Sequence, residues 1–156
     1  MLMFGLDNQE TLFVVTAFLF QIVLAVHYSL RKWRFHLAMR YGRIVYALGV
    51  PAAAVSIVLL LGGAAWSLWL GGLLCLVWAA YGYAVDYVKQ IQWRVPIRWR
   101  VAGPYLTLYL ATVMFYWWPL GEIHRVLWYV QAALFVLSTV LNLTSHKRPE
   151  DRPQPA

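Results

Sequence analysis

The sequence predicts an all-α fold, a polytopic bundle of about five membrane-spanning helices with its N-terminus outside and its C-terminus inside. Three observations carry this. Of the 156 residues, 62% are hydrophobic and only 12% charged, against roughly half and a quarter in soluble domains. The apolar residues fall into five nearly continuous runs of about 20 residues, the length of helix that crosses a hydrocarbon core. The Lys and Arg residues gather in alternate connections between those runs. The runs lack the in–out alternation of a barrel strand, and a helix satisfies its own backbone groups in lipid.

Taken in order, the first run is 11–30. Asp7 and Glu10 precede it and no base does, so it lacks the basic start of a signal peptide and is expected to remain in the mature protein. The stretch that follows carries Arg31, Lys32, Arg34, Arg40 and Arg43 with no acid, and reads as a connection. The second run, 44–62, contains Pro51, which a membrane helix tolerates when neighbours re-satisfy the freed backbone groups. Gly62-Gly63 ends it, and an uncharged link leads by a tight hairpin into the third run, 66–88. A second basic block holds Lys89, Arg94, Arg98 and Arg100, with Pro96 arguing against one continuous helix. The fourth run, 101–120, has Pro104 in its first turn, where proline costs least, and Pro119-Leu120-Gly121 reads as its end. The fifth run is 126–145. Residues 1–146 thus form one transmembrane domain, and the proline-rich, charged segment 147–156 is expected to be a disordered cytoplasmic tail.

Orientation follows from charge. All but one of the 13 Lys and Arg residues lie in the two basic blocks and the tail, the exception being Arg125. That asymmetry puts those segments in the cytoplasm. The net charge of +7 is therefore read as a topology signal facing anionic lipid, not as a nucleic-acid surface. Trp66, Trp69, Trp117, Trp118, Trp128 and Tyr129 would ring the outer interface, and Tyr28, Trp33, Tyr41, Tyr87, Trp93 and Trp99 the inner one. The localisation expected is a plasma or inner membrane, crossed several times.

Polar residues inside a membrane are expensive, so each is a functional candidate. Counting from the helix ends places Gln21, Trp78, Tyr109 and Thr112 near mid-membrane, with Cys75 beside them and Gln131 further out. They could line a ligand pocket; the plainer alternative is interhelical hydrogen bonding. A second set lies near the inner surface. His27, Asp86 and His146 fall at one depth on three helices, a combination that could serve acid–base chemistry or hold a metal. Against this, Asp86 could simply pair with Lys89 or a nearby arginine, with the histidines as interfacial anchors. The nine bases Arg31, Lys32, Arg34, Arg40, Arg43, Lys89, Arg94, Arg98 and Arg100 together form a candidate anionic-headgroup surface.

The chain carries no Gly-rich phosphate loop, nucleophile elbow, H-E-x-x-H or haem-spaced histidine pair, so no cofactor is implied. Cys75 is the single cysteine, which excludes an intrachain disulfide. The leading functional reading is a non-catalytic membrane protein that binds a lipid or small hydrophobic ligand, or serves as an accessory subunit of a membrane complex. Its partners would be membrane lipids with anionic headgroups on the inner face, a membrane-protein partner or further copies of itself, and not nucleic acid. The second reading is a small transporter or channel working as an oligomer. The third is a membrane enzyme using His27, Asp86 and His146.

Overall fold

In a computed structural model, which describes residues 6–93 and 96–145, the chain is an all-α bundle with no strands among those residues. Helix α1 spans Asn8–Trp33. Its start is set by a capping box: the Asp7 side chain accepts from the Glu10 backbone N–H at 2.7 Å and the Glu10 carboxylate accepts from that of Asp7 at 3.1 Å. Two of the orphan donors of the first turn are satisfied in this way. The helix covers 26 residues, about 39 Å, so it is longer than a hydrocarbon core of about 30 Å.

The first basic block is not a loop. Only Arg34 leaves helical geometry (φ −137°, ψ 60°), and α2 begins at once, running Phe35–Ala47 and continuing as α3, Gly49–Leu61. The second rod therefore starts nine residues before its apolar run. Leu, Ala, Met and Arg are good helix formers whether or not lipid surrounds them, and the block folds as the amphipathic end of a long helix. The joint at Leu48 has a local cause. Pro51 has no N–H to give the carbonyl of Ala47, and its ring crowds that carbonyl, so the helical ladder is interrupted there.

The glycine hairpin forms as expected. Gly63 adopts φ +73°, Ala64 N–H donates to Leu59 O at 3.0 Å and Gly63 N–H to Leu60 O at 3.1 Å. This is a Schellman stop, which needs a residue at ease in the left-handed region. Helix α4, Trp66–Tyr83, then packs along α3 at short range. A Cβ on Gly72 would lie 2.1 Å from Ser56 Oγ and 2.4 Å from Ala52 O, so only glycine permits this approach. Small residues bringing helix backbones together are the usual means of association where lipid removes the hydrophobic drive.

The end of α4 widens into a π-helical turn, Ala84–Val88, which contains Asp86. The chain then folds back rather than running out. Arg98 N–H closes a turn onto Trp93 O at 2.9 Å, and Trp93 is buried against Val85 and Ala102. Helix α5, Trp99–Ile123, continues through Pro119 and Gly121, so those residues do not end the rod. The carbonyl of Phe115, which Pro119 cannot bond, lies against Gly71. A single extended residue, His124, separates α5 from α6, Arg125–Thr144.

The five rods close a ring in which α1 packs on α6 and on α2, α3 on α4, α4 on α5 and α5 on α6. Among the described residues, α1, the α2–α3 rod, α4 with its π turn, and α6 are each long and apolar enough to cross a membrane. Helix α5 matches them in length, but its tyrosines, tryptophans, threonines and prolines make it less apolar, and it contributes much of the aromatic interior.

Candidate functional site

Two layers of the bundle hold the polar residues singled out in the sequence. The deeper one centres on Gln21, Trp78, Tyr109 and Thr112, all of which are buried. Three helices supply them: α1, α4 and α5. Gln21 donates through Nε2 to Ser138 Oγ on α6. The Tyr109 hydroxyl sits beside those of Ser138 and Tyr28. Thr112 is turned inward on its own helix and donates to Leu108 O at 2.8 Å. Trp78 is walled by the rings of Phe20, Tyr46, Tyr105 and Tyr109 at centroid distances of 5.7 to 5.9 Å. Gln131 of α6 donates to Ala17 O at 3.5 Å.

Much of this layer is interhelical hydrogen bonding, but not all of it closes. Four fully buried polar atoms, Gln21 Oε1, Gln131 Oε1, Trp78 Nε1 and the Tyr116 hydroxyl, have no hydrogen-bond partner. Gln131 meets α1 at Ala17, Trp78 meets it at Phe20 at 5.8 Å, and Tyr116 meets it at Phe20 and Phe13 at 5.3 and 6.2 Å. These contacts fall on the slab of α1 between Phe13 and Gln21.

Beside this slab an apolar groove of about 180 Å³ opens between α1, α3 and α4. Leu12, Val15 and Leu19 form an exposed rim. Pro51, Ala52 and Val55 form the opposite wall, and Phe20 and Cys75, both buried, form the floor. The groove spans α1 from Leu12 to Phe20, so it lies in the half of the bundle away from the basic blocks. A second hollow of about 180 Å³ sits at the joint of α5 and α6, lined by Gly121, Arg125, Trp128 and Tyr129.

The layer near the basic end is built differently. Asp86 is half-buried and accepts from the Tyr46 hydroxyl at 2.6 Å and from Trp93 Nε1 at 3.0 Å. The π turn presents this carboxylate between α2 and the folded-back loop, so it ties the loop to the bundle. Of the expected trio, His27 lies next to Gly42 and near the hydroxyl of Tyr87, the neighbour of Asp86 on the π turn, and His146 falls outside the described residues. Among those residues no three His, Cys, Asp or Glu side chains converge as metal ligands would.

The described bases divide into three groups. Arg31 turns inward to the end of α6, donating from Nε to Ser145 Oγ at 2.8 Å and from Nη2 to Asn142, both to its backbone O at 3.3 Å and to its Oδ1. A cation at a helix C-terminus satisfies its last carbonyls and the negative end of its dipole. Lys32, Arg40 and Arg43 lie over the rings of Trp33, Tyr41 and Tyr87 at 5.2 to 5.7 Å. Arg34, Lys89, Arg98 and Arg100 are exposed, and Arg94 falls outside the described residues.

Ser138 and Tyr116 complete the deeper layer and were not among the residues expected there. The signal was present in the spacing. Tyr109, Thr112 and Tyr116 follow i, i+3, i+7 on one face of α5, and Gln131 and Ser138 are two turns apart on α6. Comparison of the chain with protein-family models, with curated proteins and with solved structures finds no match.

Proposed function

We propose that this membrane protein is a non-catalytic binding protein, taking a lipid or small hydrophobic ligand from the bilayer. The observation behind this is the groove between α1, α3 and α4, whose rim is open on the outer surface of the bundle and whose lining is almost wholly apolar. Ligand pockets are concave and largely apolar, with few polar groups to fix orientation. Here Thr16 and Cys75 are the polar contributors. In the same reading the basic end faces the cytoplasm of a cell in whose plasma or inner membrane the chain resides, and its exposed bases contact anionic headgroups.

The groove is tested by purifying the protein in mild detergent and identifying co-purified molecules by native mass spectrometry. Thr16→Phe places a ring in the groove without touching the basic end. The bound species should be lost from the Thr16→Phe protein while its melting temperature stays close to that of the parent. Retention of the same species by the filled variant would overturn the reading.

A further inference from the structure

The groove and the four unpartnered polar atoms are separated by one layer of side chains. Phe20 lines the groove and packs its ring 5.8 Å from Trp78 and 5.3 Å from Tyr116. Cys75 also lines the groove, and its thiol lies beside the Tyr116 hydroxyl. A thiol is a poor acceptor, so Tyr116 gains little from it. Behind the groove floor there are thus two buried donors in want of an acceptor, Trp78 Nε1 and the Tyr116 hydroxyl. A buried donor left without a partner is costly, and the two unpaired acceptors of this layer, Gln21 Oε1 and Gln131 Oε1, belong to amides already tied through Nε2 to Ser138 and Ala17.

We infer that the groove's ligand is an apolar compound with a carbonyl oxygen, of the quinone or aryl-ketone type, whose oxygen accepts from Trp78 Nε1 and the Tyr116 hydroxyl when Phe20 swings aside. This rests on the groove being a ligand site and adds the chemistry of its occupant. The size is consistent. An apolar cavity of about 150 Å³ holds a benzene ring, so a groove of about 180 Å³ takes one substituted ring and leaves any tail in the lipid. Two donors and no charge at this depth select a neutral acceptor. A phospholipid is a poor fit here, because its phosphate would belong at the surface and the groove runs no nearer to the basic end than Phe20 and Leu48.

The test uses duroquinone and durene, which share a tetramethylated ring and differ only in the two carbonyl oxygens. Binding is measured by equilibrium dialysis of the detergent-purified full chain against micelle-only controls. Duroquinone should bind at least tenfold more tightly than durene. Trp78→Phe combined with Tyr116→Phe should erase that difference while leaving durene binding unchanged. Thr16→Phe should abolish saturable binding of both. Equal binding of the two compounds, unaffected by the Phe variants, would overturn the carbonyl inference and leave the groove as an apolar site. No saturable binding of either, or binding indifferent to Thr16→Phe, would overturn the groove as well. If the double variant does not fold, Tyr116→Phe decides alone: it should weaken duroquinone at least threefold without lowering the melting temperature, and an unchanged affinity counts against the inference.

Discussion

At the basic end of the bundle, helices are joined by named polar bonds: Arg31 reaches from α1 to the last turn of α6, and Asp86 holds Tyr46 of α2 and Trp93 of the folded-back loop. Towards the glycine hairpin close packing carries more of the joining, beside two side-chain bonds to backbone, Gln9 Nε2 to Gly62 O at 2.8 Å and Trp117 Nε1 to Trp128 O at 3.2 Å. Gly72, Ala52 and Ser56 let α3 and α4 touch, and Phe13, Phe20 and Tyr116 fill the space between α1 and α5. The difference follows from the solvent at each end. The basic end carries long charged side chains, and these can turn inward to helix ends and aromatic rings. In the hydrocarbon a polar contact is worth little more than in water, and close packing of small residues carries the association. The four buried polar atoms without partners stand out against this division, and the proposed ligand would answer the two donors among them.

The strongest way to break the comparison is at Gly72. A Cβ there meets Ser56 Oγ and Ala52 O well inside contact distance, and one of the two is backbone. Gly72→Ala should cost about 3 kcal/mol, the upper end of overpacking penalties, read as a fall in melting temperature in detergent. Gly103, in the first turns of α5 on the basic side, has open space around it. Gly103→Ala should be neutral or stabilise by up to about 1 kcal/mol through helix propensity. Equal effects at the two positions would mean that the hairpin half is not the packing-limited one.

Next in size is Arg31. Its charge-assisted bonds to Asn142 and Ser145 should make Arg31→Gln cost about 2 kcal/mol. Arg34→Gln, three residues on but exposed, should stay within about 0.5 kcal/mol. A double-mutant cycle of Arg31→Gln with Asn142→Ala isolates the coupling between α1 and α6. Additive losses would show that Arg31 acts only as a topology charge.

Asp86 follows. Its two carboxylate oxygens face two donors, Tyr46 and Trp93, so Asp86→Asn sets an N–H against one of them. A loss of about 1–2 kcal/mol is expected, together with faster proteolysis within 89–98 as Trp93 loses its anchor. Pairing with Lys89 alone would instead leave Asp86→Asn nearly neutral, as surface pairs are.

These contrasts also mark what one sequence can and cannot tell. The five rods, the Gly62-Gly63 stop and the central depth of Gln21, Trp78 and Tyr109 were readable, because apolar run length and residue count fix them. The helical state of Phe35–Ala47 was not, since charge signals the end of lipid and not the end of a helix. The span of α5 past Pro119 was missed for a related reason: proline costs a helix one bond without always stopping it. Partners were the least legible. Gln21 and Ser138 are 117 residues apart in the chain, and only the azimuth of each helix in the ring brings them together. Asp86 finds Trp93 because the loop folds back, a path that the composition of Lys89–Arg100 does not encode.

The smallest expected effect concerns the exposed bases, and it sharpens the comparison by moving it from the fold to the surrounding lipid. Arg34, Arg98 and Arg100 are solvent-accessible, so changing all three to Gln should barely alter the melting temperature in neutral detergent. In bilayers the outcome should differ. A Lys or Arg near an anionic surface contributes on the order of 1 kcal/mol, falling off within a Debye length. The parent protein should therefore be stabilised more by phosphatidylglycerol than by phosphatidylcholine, and the triple variant should lose most of that preference. Because salt screens exposed charges and not the inward bonds of Arg31, raising ionic strength should reproduce the triple variant's behaviour and leave the Arg31→Gln deficit in place. If phosphatidylglycerol and phosphatidylcholine stabilise the parent equally at low salt, the exposed bases set insertion topology alone, and the basic half is held by Arg31 and Asp86 without help from lipid.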